Sequence, residues 1–152
     1  MWFSKKQVAK SPLGQTVVDP AQPETSQITT KRRGDAAEAL ALAYLLKAGC
    51  KLVQKNYRTP GRGGGEIDLI MHAPDGTLLF VEVRQRSSQS HGGAGASIGG
   101  IKQRRIIFAA RHYLMRSNSP PPCRFDVVLV QGALAQPQSV QIEWLRAAFD
   151  AS

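Results

Sequence analysis

The sequence predicts an α/β domain, a mixed β-sheet flanked by helices. Three observations carry this. Apolar residues recur with helical spacing near residues 35–48 and again from Ser97–Gly100 to about Arg116. Short runs of apolar and branched residues between and after them read as strands. A Pro-Asp-Gly turn joins two of those strands as a hairpin. The order is helix, three strands, helix, strand, then a further strand or helix, which suits an α/β layout.

Residues 1–30 are rich in Ser, Thr, Gln and Pro and hold no sustained periodicity, so they read as a flexible basic tail. The domain is expected over 31–152, with Lys31, Arg32 and Arg33 at its edge. In the first helix Asp35 is placed as N-cap, with Glu38 three residues on. Leu40, Ala41, Tyr44, Leu45 and Ala48 form its apolar stripe, and Gly49 suits its stop. Glu38 has two readings, a capping residue or an acid projecting toward the hairpin. Lys51–Tyr57 reads as a strand. Residues 58–65 form a glycine-rich loop without the Gly-Lys-Ser/Thr of a P-loop. Its Arg58 and Arg62 are candidates for phosphate contact, or simply exposed.

The hairpin organises the chain. Its strands are Gly65-Glu66-Ile67-Asp68-Leu69-Ile70 and Phe80-Val81-Glu82-Val83-Arg84. Pro74, Asp75 and Gly76 have the composition of a three-residue loop closed by a glycine bulge. If so, Ala73 faces Thr77, Asp68 faces Glu82 and Glu66 faces Arg84. Directly opposed side chains have Cβ atoms about 4.5–5.5 Å apart, where like charges repel. Two carboxylates so placed need a proton, a cation or strong solvation. A divalent metal held by oxygen ligands is one reading; two exposed acids on a solvated face is the other. Ile67, Leu69, Met71, Leu79, Val81 and Val83 make an opposite strip fit for burial.

The stretch from Arg84 to Gly100 is punctuated by His91-Gly92-Gly93 and reads as a loop. The second helix buries Ile101, Ile106, Ile107, Ala110 and Leu114. Its outer face carries Lys102, Arg104, Arg105, Arg111 and Arg116 with no acid, which makes it the best candidate for binding a phosphate backbone. His112 is read as surface or partly buried. Pro120–Pro122 ends the helix. Phe125–Val130 is a strand interior to the sheet, with Asp126 preferred in a structural role. Val140–Trp144 reads as a further strand and Leu145–Phe149 as a short terminal helix.

Composition narrows the function classes. The chain of 152 residues carries a formal charge of +9 and a pI of about 10.1, which favours an anionic partner, nucleic acid ahead of an anionic membrane surface. No run approaches the length of a membrane span, and no apolar segment follows the N-terminal lysines, so a cytoplasmic location is expected. Cys50 and Cys123 form no metal or disulfide pattern and are expected as reduced, buried thiols. His72, His91 and His112 have no zinc-ligand spacing.

Four ordered motifs also carry a resemblance. Gly34-Asp35-Ala36-Ala37-Glu38, the two hairpin strands, and Cys123-Arg124-Phe125-Asp126-Val127-Val128 look like the bacterial YraN-type family. The layout resembles the wider PD-(D/E)XK, restriction-endonuclease-like superfamily. The likeness covers residues 31 to about 150. It implies a fold like that of Holliday-junction resolvases and a metal-dependent endonuclease acting on DNA. It implies Mg²⁺ or Mn²⁺ on Asp68, Glu82 and the Val83 carbonyl, with Glu38 as an accessory acid. Arg58, Arg62, Lys102, Arg104 and Arg105 would hold the backbone. Resolvase-like enzymes often pair, which leaves a homodimer open.

Two departures stand out. Ile67 replaces the superfamily's proline and touches no ligand. Arg84 replaces its lysine; arginine stays charged, so it neutralises phosphate but does not act as a base. That departure keeps a second reading in view, a catalytically inactive nucleic-acid binder, beside a third, a protein-interaction scaffold.

Overall fold

The structure is a computed structural model, and it describes residues 30–86 and 98–151. Helix α1 (Thr30–Lys47) is followed by strands β1 (Lys51–Arg58), β2 (Glu66–His72) and β3 (Leu78–Arg86). Helix α2 (Gly100–Leu114) and strands β4 (Cys123–Gln131) and β5 (Gln141–Phe149) complete the order. The five strands lie side by side in chain order. β3 and β4 are parallel and the other neighbours antiparallel. Parallel neighbours require a crossover, and α2 lies within it. This is the expected mixed sheet with helices. The expected tail, save Thr30, and the loop around His91 lie outside the described residues.

Alternation along β3 sets the two layers. Leu79 and Val81 join Leu69, Met71, Val128 and Val130 against Ala37, Ala41 and Leu45 of α1. Leu78 and Phe80 point the other way, with Ile70 and Phe125, against Ile106, Ala109 and Ala110 of α2. Successive strand residues face opposite sides, so the helices cover opposite faces. The hairpin therefore buries both of its faces, not the single strip its alternation suggests. Ile67 leaves that strip and packs with Tyr57 and the α2 layer.

The hairpin turn forms as expected. Ala73 N donates to Thr77 O at 2.8 Å, Gly76 N to Ala73 O at 2.9 Å, and the Asp75 carboxylate accepts from Thr77 N at 3.0 Å. Gly76 has a φ of 90°, which an L side chain rarely adopts. The register runs His72–Leu78 through Leu69–Val81, as expected from that loop.

Several expectations fail for local reasons. Asp35 is not an N-cap: α1 begins at Thr30, so Asp35 and Glu38 both lie inside it. Its end is as expected, with Cys50 N donating to Leu45 O and Gly49 N to Leu46 O. Ile101 is 69% exposed, because it shares the solvent face with positions seven and fourteen residues on. Leu145–Phe149 is not helical but continues β5, where pairing to β4 outweighs a five-residue helix without caps. Cys50 is buried, whereas Cys123, at the start of β4, is exposed.

Asp126 has the structural role expected of it. It is fully buried and accepts from Trp144 Nε1 at 2.9 Å, Ala147 N at 2.9 Å and Arg124 Nε at 3.0 Å. Those bonds span the register shift between Phe125 and Val127, where Ala147 takes a φ of 50°. No described helix is long and apolar enough to cross a membrane.

Candidate functional site

The paired ladder between β2 and β3 stops at Leu69–Val81, although both strands continue. Asp68 is the first residue past that point. Its Oδ2 accepts from Val83 N at 2.8 Å, so a side-chain carboxylate takes a main-chain donor where the strands part. Glu82, expected directly opposite Asp68, is only 6% exposed and lies on the α2 side, its side chain meeting Lys102. Glu66 does not extend the ladder to Arg84. Its carboxylate turns to Arg58 of β1, at 3.4 Å.

Acids from three elements gather at this fork, with Asp68 between Glu38 and Glu82. Glu38 reaches Asp68 from α1. Burial, then the Asp68 carboxylate, pushes Glu38 up to about 7. The same two causes push Glu82 up to about 8, against the pull of Lys102. Glu38 is thus an inward-facing acid, the second of its two readings, since mid-helix it cannot cap.

Lys102 is the residue that sequence reasoning misplaced. It was expected only among the outer cations of α2. Its Nζ instead lies 3.1 Å from Glu82 Oε1. Burial works against its charge, but Glu82, then Asp68 and Glu66, outweigh it and raise its pKa. Position could have signalled this: Lys102 stands in the first turn of a helix following the strand of Glu82. Arg84 lies with Glu82, Ile98, Gly99 and Lys102 around a cavity of about 210 Å³.

A second cavity, about 310 Å³, opens on the other side of Lys102. Arg58, Lys102 and Arg105 line it with the single acid Glu66 around the Gly61–Gly65 turn. Gly65 fixes that wall. A Cβ there would collide with the Arg105 carbonyl oxygen and press on Ala109 at 3.0 Å, so α2 packs on the loop only because Gly65 has no side chain. Thr59 Oγ1 braces it by accepting from Gly65 N at 2.7 Å. Of the expected backbone-contacting cations, Arg58, Lys102 and Arg105 come together here; Arg62 and Arg104 are exposed and do not line it.

Among the described residues, no three Asp, Glu, His or Cys side chains form a cage able to hold a metal by themselves. The donor set still suits a hard cation. It offers the carboxylates of Asp68 and Glu82, with the Val83 carbonyl nearby in sequence, and their mutual repulsion is written in the raised Glu82 pKa. Mg²⁺ is commonly held by one or two carboxylates, completed by water and substrate phosphate.

The model of a family described as "Uncharacterised protein family UPF0102" matches residues 37–130, which include Glu38, Asp68, Glu82, Lys102 and Asp126. A UPF0102 protein of Polaromonas naphthalenivorans is 66% identical, with all of both chains covered. One from Polaromonas sp. (strain JS666) is 64% identical, again over all of both chains. One from Albidiferax ferrireducens is 64% identical over 86% of this chain and 96% of its own.

Proposed function

The chain belongs to the uncharacterised protein family UPF0102, and we propose that it is a metal-dependent nuclease of the PD-(D/E)XK type that hydrolyses the phosphodiester backbone of DNA. One observation carries this reading: at a strand fork Asp68 meets both Glu38 and Glu82, with Lys102 against Glu82 and a cavity lined mainly by cations beside it. The +9 charge supports an anionic substrate.

Asp68, Glu82 and the Val83 carbonyl would hold Mg²⁺ or Mn²⁺, which would supply water activation and charge stabilisation at the phosphoryl oxygens. The chain's own residues do the rest. Arg58, Arg105 and Arg62 bind the backbone flanking the scissile phosphate. Lys102 keeps its proton and donates hydrogen bonds at the site. It supplies the lysine that the motif position, Arg84, lacks. Glu38, with its pKa near 7, holds or yields a proton beside Asp68. A cytoplasmic location and a paired state belong to the same reading.

Arg84 favours a second reading, binding without turnover. Plasmid, single-stranded and four-way-junction DNA incubated with Mg²⁺, Mn²⁺ or chelator separates the two. Metal-dependent cutting that disappears in Asp68→Ala supports the nuclease. Salt-sensitive binding without cutting supports the second reading, and neither cutting nor binding sinks both.

A further inference from the structure

The outer face of α2 carries an apolar stripe that the site does not use. Ile101, Phe108 and Met115 are 69%, 54% and 79% exposed. They recur every seventh residue, so they stand in line, each about 10 Å from the next along the helix. Arg104 and Arg111 lie along one side of the stripe, and Arg105 and Arg116 along the other. Two of these four are engaged, Arg111 with the Ala151 carbonyl at 3.3 Å and Arg116 over the rings of Tyr57 and Tyr113. Arg104 and Arg105 have no ion-pair partner among the described residues.

Charge and position identify the occupant. No Asp or Glu occurs between Glu82 and Asp126. Two copies of this face brought together would oppose arginine to arginine, so self-association is disfavoured. Arg105 belongs to both features: it lines the cationic cavity and stands one helical turn before Phe108. A strand whose phosphates fill that cavity is thus led onto the stripe. An exposed ring between arginines is how unpaired bases are held without sequence preference, the base on the ring and the phosphates on the cations.

We propose that the outer face of α2 is a track for single-stranded nucleic acid, with an unpaired base stacked on Phe108 and its phosphates on Arg104 and Arg105. Ile101 and Met115 extend the apolar shelf at either end. The substrate is therefore one with an unpaired segment next to the backbone at the acids. This rests on the nucleic-acid reading of the site and specifies its substrate class.

The test is fluorescence anisotropy of the full chain with a labelled thymidine oligonucleotide and with a duplex, both in chelator so that no metal is involved. Phe108→Ala should weaken single-strand binding about 5- to 150-fold and leave duplex binding and its salt dependence unchanged. Phe108→Trp should restore the single-strand affinity. If the wild type binds neither DNA, the nucleic-acid reading itself fails. If it binds but Phe108→Ala has no effect, or weakens duplex equally, only the track is overturned. An acidic amphipathic peptide that binds this face, with oligonucleotide binding indifferent to Phe108, overturns it in favour of a protein partner.

Discussion

Lys102 Nζ lies 3.1 Å from Glu82 Oε1, joining the first turn of α2 to the buried carboxylate of β3. The pairing gives Lys102 a place at the acids that the sequence does not assign to it. Lys102 contacts an acid of the cluster, and Arg84, two residues along the strand from Glu82, lines the same cavity. Removing a donor aimed at developing charge costs about 10²–10³ in rate. Lys102→Ala should therefore lose about that much in metal-dependent cleavage of a labelled oligonucleotide. Lys102→Arg should retain part of it, and Arg84→Ala should lose less than Lys102→Ala. Full cleavage by Lys102→Ala would remove Lys102 from the chemistry.

The raised acids tie stability to pH. Unfolded glutamates titrate near 4.5, while Glu38 and Glu82 titrate in the folded chain at about 7 and about 8. Folded pKa values above the unfolded ones mean that the folded state holds protons more tightly. The stabilisation is complete below about pH 4.5 and is lost as pH rises through 7 and 8. Every tenfold gain in proton affinity on folding corresponds to ~1.4 kcal/mol for a buried group. The urea midpoint of the metal-free protein should fall from pH 5 to pH 8 by this linkage, and Glu82→Gln should flatten the fall. Added Mn²⁺ should raise the midpoint most at the alkaline end. A midpoint that climbs across this window in the metal-free protein would contradict the clustering of the acids.

How much of this was legible depended on range. The hairpin register could be read because Pro74, Asp75 and Gly76 fix it locally. The order and type of most elements followed from periodicity. What failed depended on distant neighbours. Leu145–Phe149 becomes strand because Asp126, about twenty residues earlier, accepts from Trp144 and Ala147 and holds the bulge. Glu38 could not be assigned without knowing that α1 runs past the strand fork. Lys102 read as one more surface cation because the helix pattern places it on the outer face, although its first-turn position after the strand of Glu82 was present in the sequence. Ile101 was misread by hydrophobicity alone, although its seven-residue spacing to Phe108 and Met115 was present in the sequence.

Asp126 offers a stability test apart from the acids. Its carboxylate accepts from Arg124, Trp144 and Ala147 within a buried setting. Asp126→Ala leaves an indole N–H, a main-chain N–H and a guanidinium without their acceptor. Breaking such a buried network costs roughly 3–5 kcal/mol. The variant should lose that much unfolding free energy, read as a lowered urea midpoint at unchanged slope. Asp126→Asn should lose less, because the amide oxygen still accepts from one donor. A midpoint unchanged in Asp126→Ala would mean that β5 does not depend on this carboxylate.

Gly65 joins the loop to the helix that delivers Lys102. A methyl group at Gly65 meets the Arg105 carbonyl, which is backbone and cannot swing aside, so α2 itself must shift. That helix carries both Arg105, on the cavity wall, and Lys102, on Glu82. Gly65→Ala should therefore weaken DNA binding and cleavage together, with a stability loss of about 1–3 kcal/mol from overpacking. Gly34 is the internal control: it lies exposed within α1 with nothing near its added Cβ. Gly34→Ala should stabilise by roughly 0.5–1 kcal/mol and leave DNA binding and cleavage unchanged. Wild-type cleavage and DNA affinity in Gly65→Ala would show that the glycine wall does not set the position of α2.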